Sequence, residues 1–490
     1  MTAMTDSISL SDLVVRLPGG GRLEGVNTWI TDVTHDSRAV GPGTLFVAIP
    51  GEQHDGHDYV DRAIAAGAAA VVVERDVECP SRIVVPDSRA ALPWAAAAVY
   101  GDPSLRLPVV GVTGTNGKTT VTHMLEQIVV AAGRTPAIVG TVGARIGDAD
   151  RAVARTTPEA SDLQRLLSDM IGAGVDVAAI EVSSHALTLH RVDGIRFRVA
   201  AFTNLMQDHL DFHGDMETYW AAKASLFTTE RTDHCVIAID DEPGRRIVAA
   251  TDVPVTTVAI DQEADVRASS ITESLNGSSF IITTEDRRLR IELPNPGRFN
   301  VENALVAAAI ALELGIDDDS IVRGLSSVGT IPGRFERIEH GAGFGVVVDY
   351  AHTPDAIEAV VDSALRMSRG RVIVVFGAGG DRDQEKRPAM GRAASRADLA
   401  ILTSDNPRSE DPAAIVAAVR SGIPDGVTIF EEPDRQRAIR AALNAAGSND
   451  LVLVLGKGHE TGQEIAGKVE PFDDRAVVLD ELRTISEEAS

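Results

Sequence analysis

Leu107-Pro108-Val109-Val110-Gly111-Val112-Thr113-Gly114-Thr115-Asn116-Gly117-Lys118-Thr119-Thr120 is the stretch on which the reading of this chain turns. An apolar run, Val109 to Val112, ends in a loop containing Gly114 and Gly117, and a helical pattern from Val121 to Val130 follows. A strand, a glycine-bearing loop and a helix N-terminus in that order make a phosphate cradle. The glycines let backbone N–H groups turn toward phosphate oxygens, the helix end adds partial positive charge, and Lys118 adds a full one. The hydroxyl of Thr119, directly after the lysine, is placed for a phosphate-bridging Mg²⁺. The spacing departs from G-x-x-x-x-G-K-[ST] only where Val112 takes the place of the first glycine. ATP binding through Gly114, Thr115, Asn116, Gly117, Lys118, Thr119 and Thr120 is the expectation.

The chain around this loop has 490 residues, enough for three domains of ordinary size. Its 44% hydrophobic and 24% charged content are those of a soluble globular protein. With 46 basic against 72 acidic residues the net charge is −26, which argues against nucleic acid or an anionic membrane as partner. Local clusters of Arg, Lys and helix N-termini can still take anionic small ligands. Cys79 and Cys235 are the only cysteines, too few for a disulfide framework. Met1 to Leu17 lacks a basic region followed by an apolar core, and no run approaches a membrane span, so a cytoplasmic location is expected.

Three segments emerge, with boundaries expected at 1–107, 108–330 and 331–490. The first has short strands, such as Thr44 to Ile49 and Ala70 to Val73, and a closing helix over Ala90 to Val99. The second alternates helices with apolar strands at Ala137 to Val139, Val177 to Ile180, Val199 to Phe202 and Cys235 to Ile239. That alternation marks a parallel sheet with crossover helices. Between about Val253 and Leu293 polar and apolar residues alternate, which predicts a small antiparallel β appendage, followed by a helix over Val301 to Leu314. The third segment has strands Gly345 to Val348, Val372 to Phe376, Leu399 to Leu402 and Leu451 to Leu455. The expected fold is α/β in three domains: an N-terminal one, a central P-loop-type parallel-sheet domain, and a C-terminal doubly wound Rossmann-like domain.

Ligands of open α/β sheets sit at the carboxyl ends of strands, and the polar motifs fall there. Glu181 follows the strand Val177 to Ile180, where it can meet Mg²⁺ opposite the phosphate loop or cap the next helix. Thr203-Asn204-Leu205-Met206-Gln207-Asp208-His209-Leu210-Asp211-Phe212-His213 puts two His and two Asp in six residues, for a structural or a metal role. Lys223, among alanines, reads by itself as a solvated helix position. Arg334, at the opening of the third segment, can reach a triphosphate across a cleft or pair with a carboxylate. The loops Asp349-Tyr350-Ala351-His352, Gly377 to Asp383, Asp405-Asn406-Pro407-Arg408 and Gly456-Lys457-Gly458-His459-Glu460 would line one face.

Gly114 to Thr120, Glu181-Val182-Ser183-Ser184-His185, Asn204, Asp208-His209-Leu210-Asp211, Lys223, Asn300-Val301-Glu302-Asn303, Pro332-Gly333-Arg334 and Asp349-Tyr350-Ala351-His352-Thr353-Pro354 stand in the order seen in Mur ligases. The chain resembles that family from Asp36-Ser37-Arg38 to Gly458-His459-Glu460. These are the ATP-dependent amide-forming enzymes of peptidoglycan precursor synthesis, and the resemblance is strongest to the branch that adds the third peptide residue. It implies that Thr119, Glu181 and His209 surround Mg²⁺, and that Lys223 carries a carbamate derived from CO₂ and serves as a metal ligand. It makes Lys118, Glu181, His209 and Lys223 the catalytic set. Asn300, Asn303, Arg334 and Asp349 would complete the nucleotide site. Ser37 and Arg38 would hold the UDP end of a UDP-N-acetylmuramoyl dipeptide, and Thr156, Thr157, Ser183 and Arg191 its peptide end. Leu189 stands where some relatives have a substrate-contacting Gln, so no polar role is assigned to it.

The amino-acid substrate follows from charge. Arg408 is a planar donor fork suited to a carboxylate, and meso-diaminopimelate differs from lysine by one carboxylate at its far end. Read through the same resemblance, Arg408 with Arg382, Asp405, Asn406, Gly456 and Glu460 looks like the pocket for meso-diaminopimelate; by itself Arg408 can also cap a loop through backbone carbonyls. A lysine would leave Arg408 without its partner. Water must be kept from the acyl phosphate expected on this route, which calls for a hinge near Gly324 to Pro332. The expected protein is a monomer with no nucleic-acid or membrane partner. The competing readings are a ligase for lysine or another diamino acid, a folate polyglutamate ligase, and a non-catalytic nucleotide-binding regulator.

Overall fold

The structure is a computed structural model, and it describes residues 7–51 and 54–488. Three large sheets carry the described residues, one in each sequence segment, beside two two-stranded ones. The phosphate-loop strand, Val109–Thr113, is buried along its whole length and lies at the centre of an 11-stranded sheet. Its neighbours are Val177–Glu181 and Val199–Phe202, both parallel to it. Parallel pairing continues outward to Pro136–Gly140 on one side, and to Cys235–Ala238, Val255–Ala259 and Val266–Ser274 on the other. The strands from Pro136–Gly140 to Cys235–Ala238 read as near-continuous apolar runs because helices cover both faces. Helices Lys118–Ala131 and Arg298–Glu313 fill one face with Val121, Met124, Leu125, Ile128, Val301, Leu305 and Ile310, all buried.

The expected antiparallel appendage over 253–293 is instead the continuation of this sheet. Val255–Ala259 pairs parallel with the strand before it, and only the hairpins Val266–Ser274, Gly277–Thr283 and Arg288–Leu293 are antiparallel. The alternation was real, but its apolar half faces the main core: Phe280, Ile282, Leu289, Ile291 and Leu293 join one buried cluster with helices Arg298–Glu313 and Asp318–Ser326. At the opposite edge, hairpin Gly143–Ile146/Ala149–Arg151 extends the sheet.

The N-terminal sheet runs Arg22–Gly25, Ser81–Val84, Ala70–Val73, Thr44–Val47, Asp32–Thr34, and all but the first strand are parallel. The C-terminal sheet has six strands, with Gly345–Asp349, Leu451–Leu455, Val372–Phe376, Leu399–Leu402 and Ile429–Glu431 parallel and Glu336–Arg337 antiparallel at one edge. None of the helices in the described residues is long and apolar enough to cross a membrane.

Gly324 does not belong to a hinge. It lies in helix Asp318–Ser326, which packs directly on the helix that follows the phosphate loop, and a Cβ at Gly324 would stand 2.4 Å from the Cα of Ile128. The connection between this helix and strand Glu336–Arg337 is residues 327–335. Gly324→Ala ought to gain about 1 kcal/mol from helix propensity, but forcing two backbones apart costs about 1–3 kcal/mol. We expect a net loss, read as a lowered denaturant midpoint; an unchanged or raised midpoint would show that the two helices separate freely.

Candidate active site

The phosphate loop is strapped from outside. Asn204 receives the backbone N–H of Asn116 at 3.0 Å on Oδ1, its carbonyl receives that of Thr115 at 2.9 Å, and Thr203 Oγ1 donates to Asn116 O at 2.6 Å. Thr115 Oγ1 accepts from Met206 N at 3.0 Å. Gly114 and Gly117 have φ of +147° and +89°, and a Cβ on either would meet Thr203 Oγ1 at 1.9 Å or Asn303 Oδ1 at 2.3 Å. Both glycines are thus required by conformation and by space. Gly117 leads into helix Lys118–Ala131, so the loop ends on a helix N-terminus.

Two amines converge inside the loop. Lys118 Nζ donates to Gly114 O and Thr115 O, each at 2.9 Å, and Lys223 Nζ donates to the same Gly114 O at 2.8 Å. Lys223 is fully buried on helix Met216–Ala224, over the ring of Tyr219 at 4.6 Å; it is no solvated helix position. Burial lowers the pKa of both amines, and for Lys223 the neighbouring Lys118 charge adds to it.

Glu181 closes the strand Val177–Glu181 and is 1% exposed. It caps no helix: Ser183 does that, accepting from Ala186 N. The Glu181 carboxylate instead accepts Thr141 N on Oε1 and Thr141 Oγ1 on Oε2, both at 2.9 Å. Thr157 Oγ1 donates to Glu181 O at 2.7 Å and accepts from Ser183 N at 3.1 Å. Thr156 and Thr141 hydroxyls are 3.2 Å apart, while Arg191 Nε meets Glu159 at 2.9 Å and its Nη1 approaches Thr157 O at 3.5 Å. Thr156, Thr157, Ser183 and Arg191 are therefore one network joined to Glu181. Ser37 and Arg38 stand apart, in an N-terminal loop where Arg38 closes on Asp36 at 2.7 Å; adjacent His35 meets Ser161 of the central domain at 3.3 Å.

Asp208 and His209 lie beyond the strand Val199–Phe202. Burial drops the His209 imidazole to about 3, so it is neutral with a free lone pair at physiological pH. Asp208 receives Lys386 Nζ of the C-terminal domain at 3.1 Å, with His352 at 3.7 Å. Burial would raise its carboxyl, but those partners hold it well below the usual range. No cluster of three or more His, Cys, Asp or Glu suited to a metal exists among the described residues. The Glu181 carboxylate, the His209 imidazole and the Thr119 hydroxyl are separate polar groups of this site, and Thr119 Oγ1 already accepts from Arg334 at 3.0 Å.

The third domain reaches the loop through Arg334, whose Nη2 donates to Thr119 Oγ1 at 3.0 Å while its Cζ lies 4.7 Å from the Tyr350 ring centre. Asn116, Gly117, Thr120, Asn300, Asn303, Arg334, Asp349 and Tyr350 line a cavity of about 300 Å³ beside the loop. A larger depression of about 1130 Å³, between 256–267, 283–287 and 312–319, shares no residue with the phosphate loop or its partners. The smaller cavity is the nucleotide candidate because it abuts the loop. Asp349 there is turned to the backbone N–H groups of Phe335 (2.6 Å) and Ala351 (2.7 Å).

In the C-terminal loops, Asn406 Nδ2 donates to Asp405 Oδ1 at 3.0 Å and Glu460 Oε2 at 2.8 Å. Gly456, at φ +116°, leaves room that a Cβ would take 2.3 Å from Asp405 Oδ2. Arg408 adopts φ +53°; Nη1 donates to Gly380 O at 2.6 Å, Nε lies 3.6 Å from Glu464, and Nη2 is unengaged among the described residues. Arg382 is exposed and donates only to Asp381 O. Thr141 and Lys386 were not singled out from the sequence, since nothing local marks them. Lys457 sat unremarked inside a loop that was.

Three family descriptions match: "Mur ligase family, catalytic domain" over 30–107, "Mur ligase middle domain" over 112–311 and "Mur ligase, glutamate ligase domain" over 333–458. A protein of Geobacillus thermodenitrificans named UDP-N-acetylmuramoyl-L-alanyl-D-glutamate–2,6-diaminopimelate ligase is 45% identical over 96% of this chain and 98% of its own. One of the same name from Streptomyces coelicolor is 44% identical over 93% and 92%. A solved structure of a ligase with that name superposes with a TM-score of 0.70 at 32% identity, covering 98% of this chain and all of the other. MurF ligase from Thermotoga maritima, in complex with ADP, shares the fold at 19% identity (TM-score 0.68, 94% and 98% covered).

Thr141→Val removes one of the two bonds that orient Glu181. A hydrogen bond to a charged group is worth about 1.5–3 kcal/mol, so ATP-dependent turnover should fall roughly ten- to a hundredfold, with a lowered unfolding midpoint beside it. Turnover within twofold of the parent would mean that the backbone N–H alone suffices.

Proposed function

The chain belongs to the Mur ligase family, and from that premise we propose that it is the ATP-dependent ligase joining an amine of meso-diaminopimelate to the γ-carboxylate of UDP-N-acetylmuramoyl-L-alanyl-D-glutamate. The reach of Arg334 onto Thr119 supports this most directly, because it sets the loops of the C-terminal domain against the phosphate loop. One cleft can then hold a triphosphate, the network at Thr156–Arg191 and an amino acid.

A carboxylate is a poor electrophile near neutral pH. Transfer of the γ-phosphoryl group of ATP to the γ-carboxylate gives an acyl phosphate and ADP; the amine then attacks the acyl carbon and phosphate leaves. Lys118, the loop N–H groups and Arg334 stabilise the charge that moves during transfer. Mg²⁺ would be held by Thr119, Glu181, His209 and a carbamylated Lys223, and would neutralise phosphate charge. Burial favours the neutral Lys223 amine, the form that bonds to the carbon of CO₂ with loss of a proton. Thr157, Ser183 and Arg191 orient the dipeptide end, Ser37 and Arg38 the UDP end. Arg408, with one arm of its fork free, takes the distal carboxylate, and Asp405 and Glu460 the ammonium beside it.

Phosphate release measured with the UDP-linked dipeptide should require meso-diaminopimelate and be at least a hundredfold slower with L-lysine. Release with lysine alone would remove the role of Arg408 and keep the ligase; release with neither, in Mg²⁺ and bicarbonate, would favour a non-catalytic nucleotide binder. Lys223→Ala should lose more than 99% of activity and regain part of it in acetate, whose carboxylate substitutes for the carbamate. Full activity without acetate would take Lys223 out of the reaction.

A further inference from the structure

We propose that Lys457 is the positioning residue that fits the amino-acid pocket to an end bearing both a carboxylate and an ammonium; the proposal rests on the ligase reading above. Lys457 follows strand Leu451–Leu455, and its side chain is 0% exposed. Its Nζ donates to Asn406 Oδ1 at 3.1 Å and to Glu460 Oε2 at 3.0 Å. An ammonium this enclosed persists only where its protons are bonded and its charge is matched.

The first consequence is directional. Asn406 Oδ1 also accepts the backbone N–H of Glu464 at 3.0 Å, so two donors pin the amide oxygen. A flipped amide would set its NH₂ against an ammonium and an N–H, which fixes the assignment. The amide nitrogen is thereby forced toward Asp405 Oδ1 and Glu460 Oε2. Glu460 takes both of these bonds, from Asn406 and from Lys457, on Oε2, which leaves Oε1 without a hydrogen bond among the described residues. Asp405 itself is anchored through its carbonyl to Gln463 Nε2 at 2.7 Å.

The second consequence is charge balance. Asp405 and Glu460 bring two carboxylates to the pocket floor. Arg435, fully buried behind them, is spoken for by Asp474 in a two-point pair at 2.8 and 2.7 Å. Lys457 therefore cancels one of the two carboxylates, and a single net negative charge faces the ligand ammonium while Arg408 faces its carboxylate. Without Lys457 the floor would carry two negative charges, a better match to the bare ammonium of lysine than to a zwitterion. Specificity then comes partly from charge removed rather than from a contact made.

The test is steady-state kinetics of the full chain with Lys457→Met, varying meso-diaminopimelate and L-lysine separately. We expect KM for meso-diaminopimelate to rise at least tenfold, KM for ATP and for the UDP-linked dipeptide to stay within twofold, and the kcat/KM preference for meso-diaminopimelate over lysine to fall at least tenfold. An unchanged preference, or a parallel rise in all three KM values, overturns the proposal. If the Met variant does not fold, Lys457→Gln keeps an N–H donor for Asn406 and deletes the charge; the same fall in preference is expected, and its absence is equally fatal. The parent enzyme separates the two claims: if it turns over neither amino acid, the ligase reading fails and takes this one with it.

Discussion

A single carbonyl oxygen, that of Gly114, accepts two buried amines, Lys118 at 2.9 Å and Lys223 at 2.8 Å. Two unit charges 4 Å apart at an effective dielectric of 20 repel by about 4 kcal/mol, so this arrangement is stable only with anions close by or with a proton missing. Glu181 and Asp208 supply part of the compensation, and burial drives the amines toward neutrality for the rest. The loop is thus built with an electrostatic deficit that a triphosphate fills at Lys118. Conversion of Lys223 to an anionic carbamate would fill it from the other side. The strap from Thr203 and Asn204 and the two glycines hold the backbone in the conformation that turns Gly114 O and Thr115 O toward the amines.

Asp208 ties the same region to the C-terminal domain. It bonds Lys386 while adjacent Gln207 donates to Asp383 at 3.2 Å, and Asp383 lies one residue past Arg382 in the amino-acid loop. On the other flank Gly333, at φ +65°, is so close to Gly458–His459 that a Cβ would stand 2.2 Å from His459 N. Arg334 is therefore aimed at Thr119 by a contact with the very loop that carries Lys457 and Glu460. The loop of Lys457 and Glu460 and the phosphate loop thus meet through Gly333 and Arg334, and residues 327–335 connect their domains.

Strands buried on both faces, such as Val372–Phe376 and Leu399–Leu402, were legible to the residue, since every position is apolar. Half-buried strands at 255–293 gave a correct period but not its orientation, because a sequence does not say which neighbour its apolar face meets. Gly324 was misread for a related reason: a glycine that permits close helix packing looks the same as one that permits bending. In the site, Glu181, Arg334 and Arg408 could be found because each follows a strand or opens a segment. Thr141 and Lys386 could not, since their meaning comes wholly from partners 40 and 178 residues away.

The net charge of −26 and a substrate set made of anions look contradictory, and the distances resolve it. Screening at physiological ionic strength limits exposed charges to about 8 Å, whereas the groups that would meet phosphate or carboxylate act at hydrogen-bonding range in partly water-excluded pockets. The acidic surface slows the approach of an anion but cannot cancel Lys118, Arg334 or Arg408 at contact. The same reasoning explains why Lys118 is held by the carbonyls of Gly114 and Thr115 at hydrogen-bonding distance, while Arg408 divides its fork between Gly380 O and the more distant Glu464. A carbonyl orients a cation without neutralising it, so the positive charge stays available to a ligand. A carboxylate in that place would consume it.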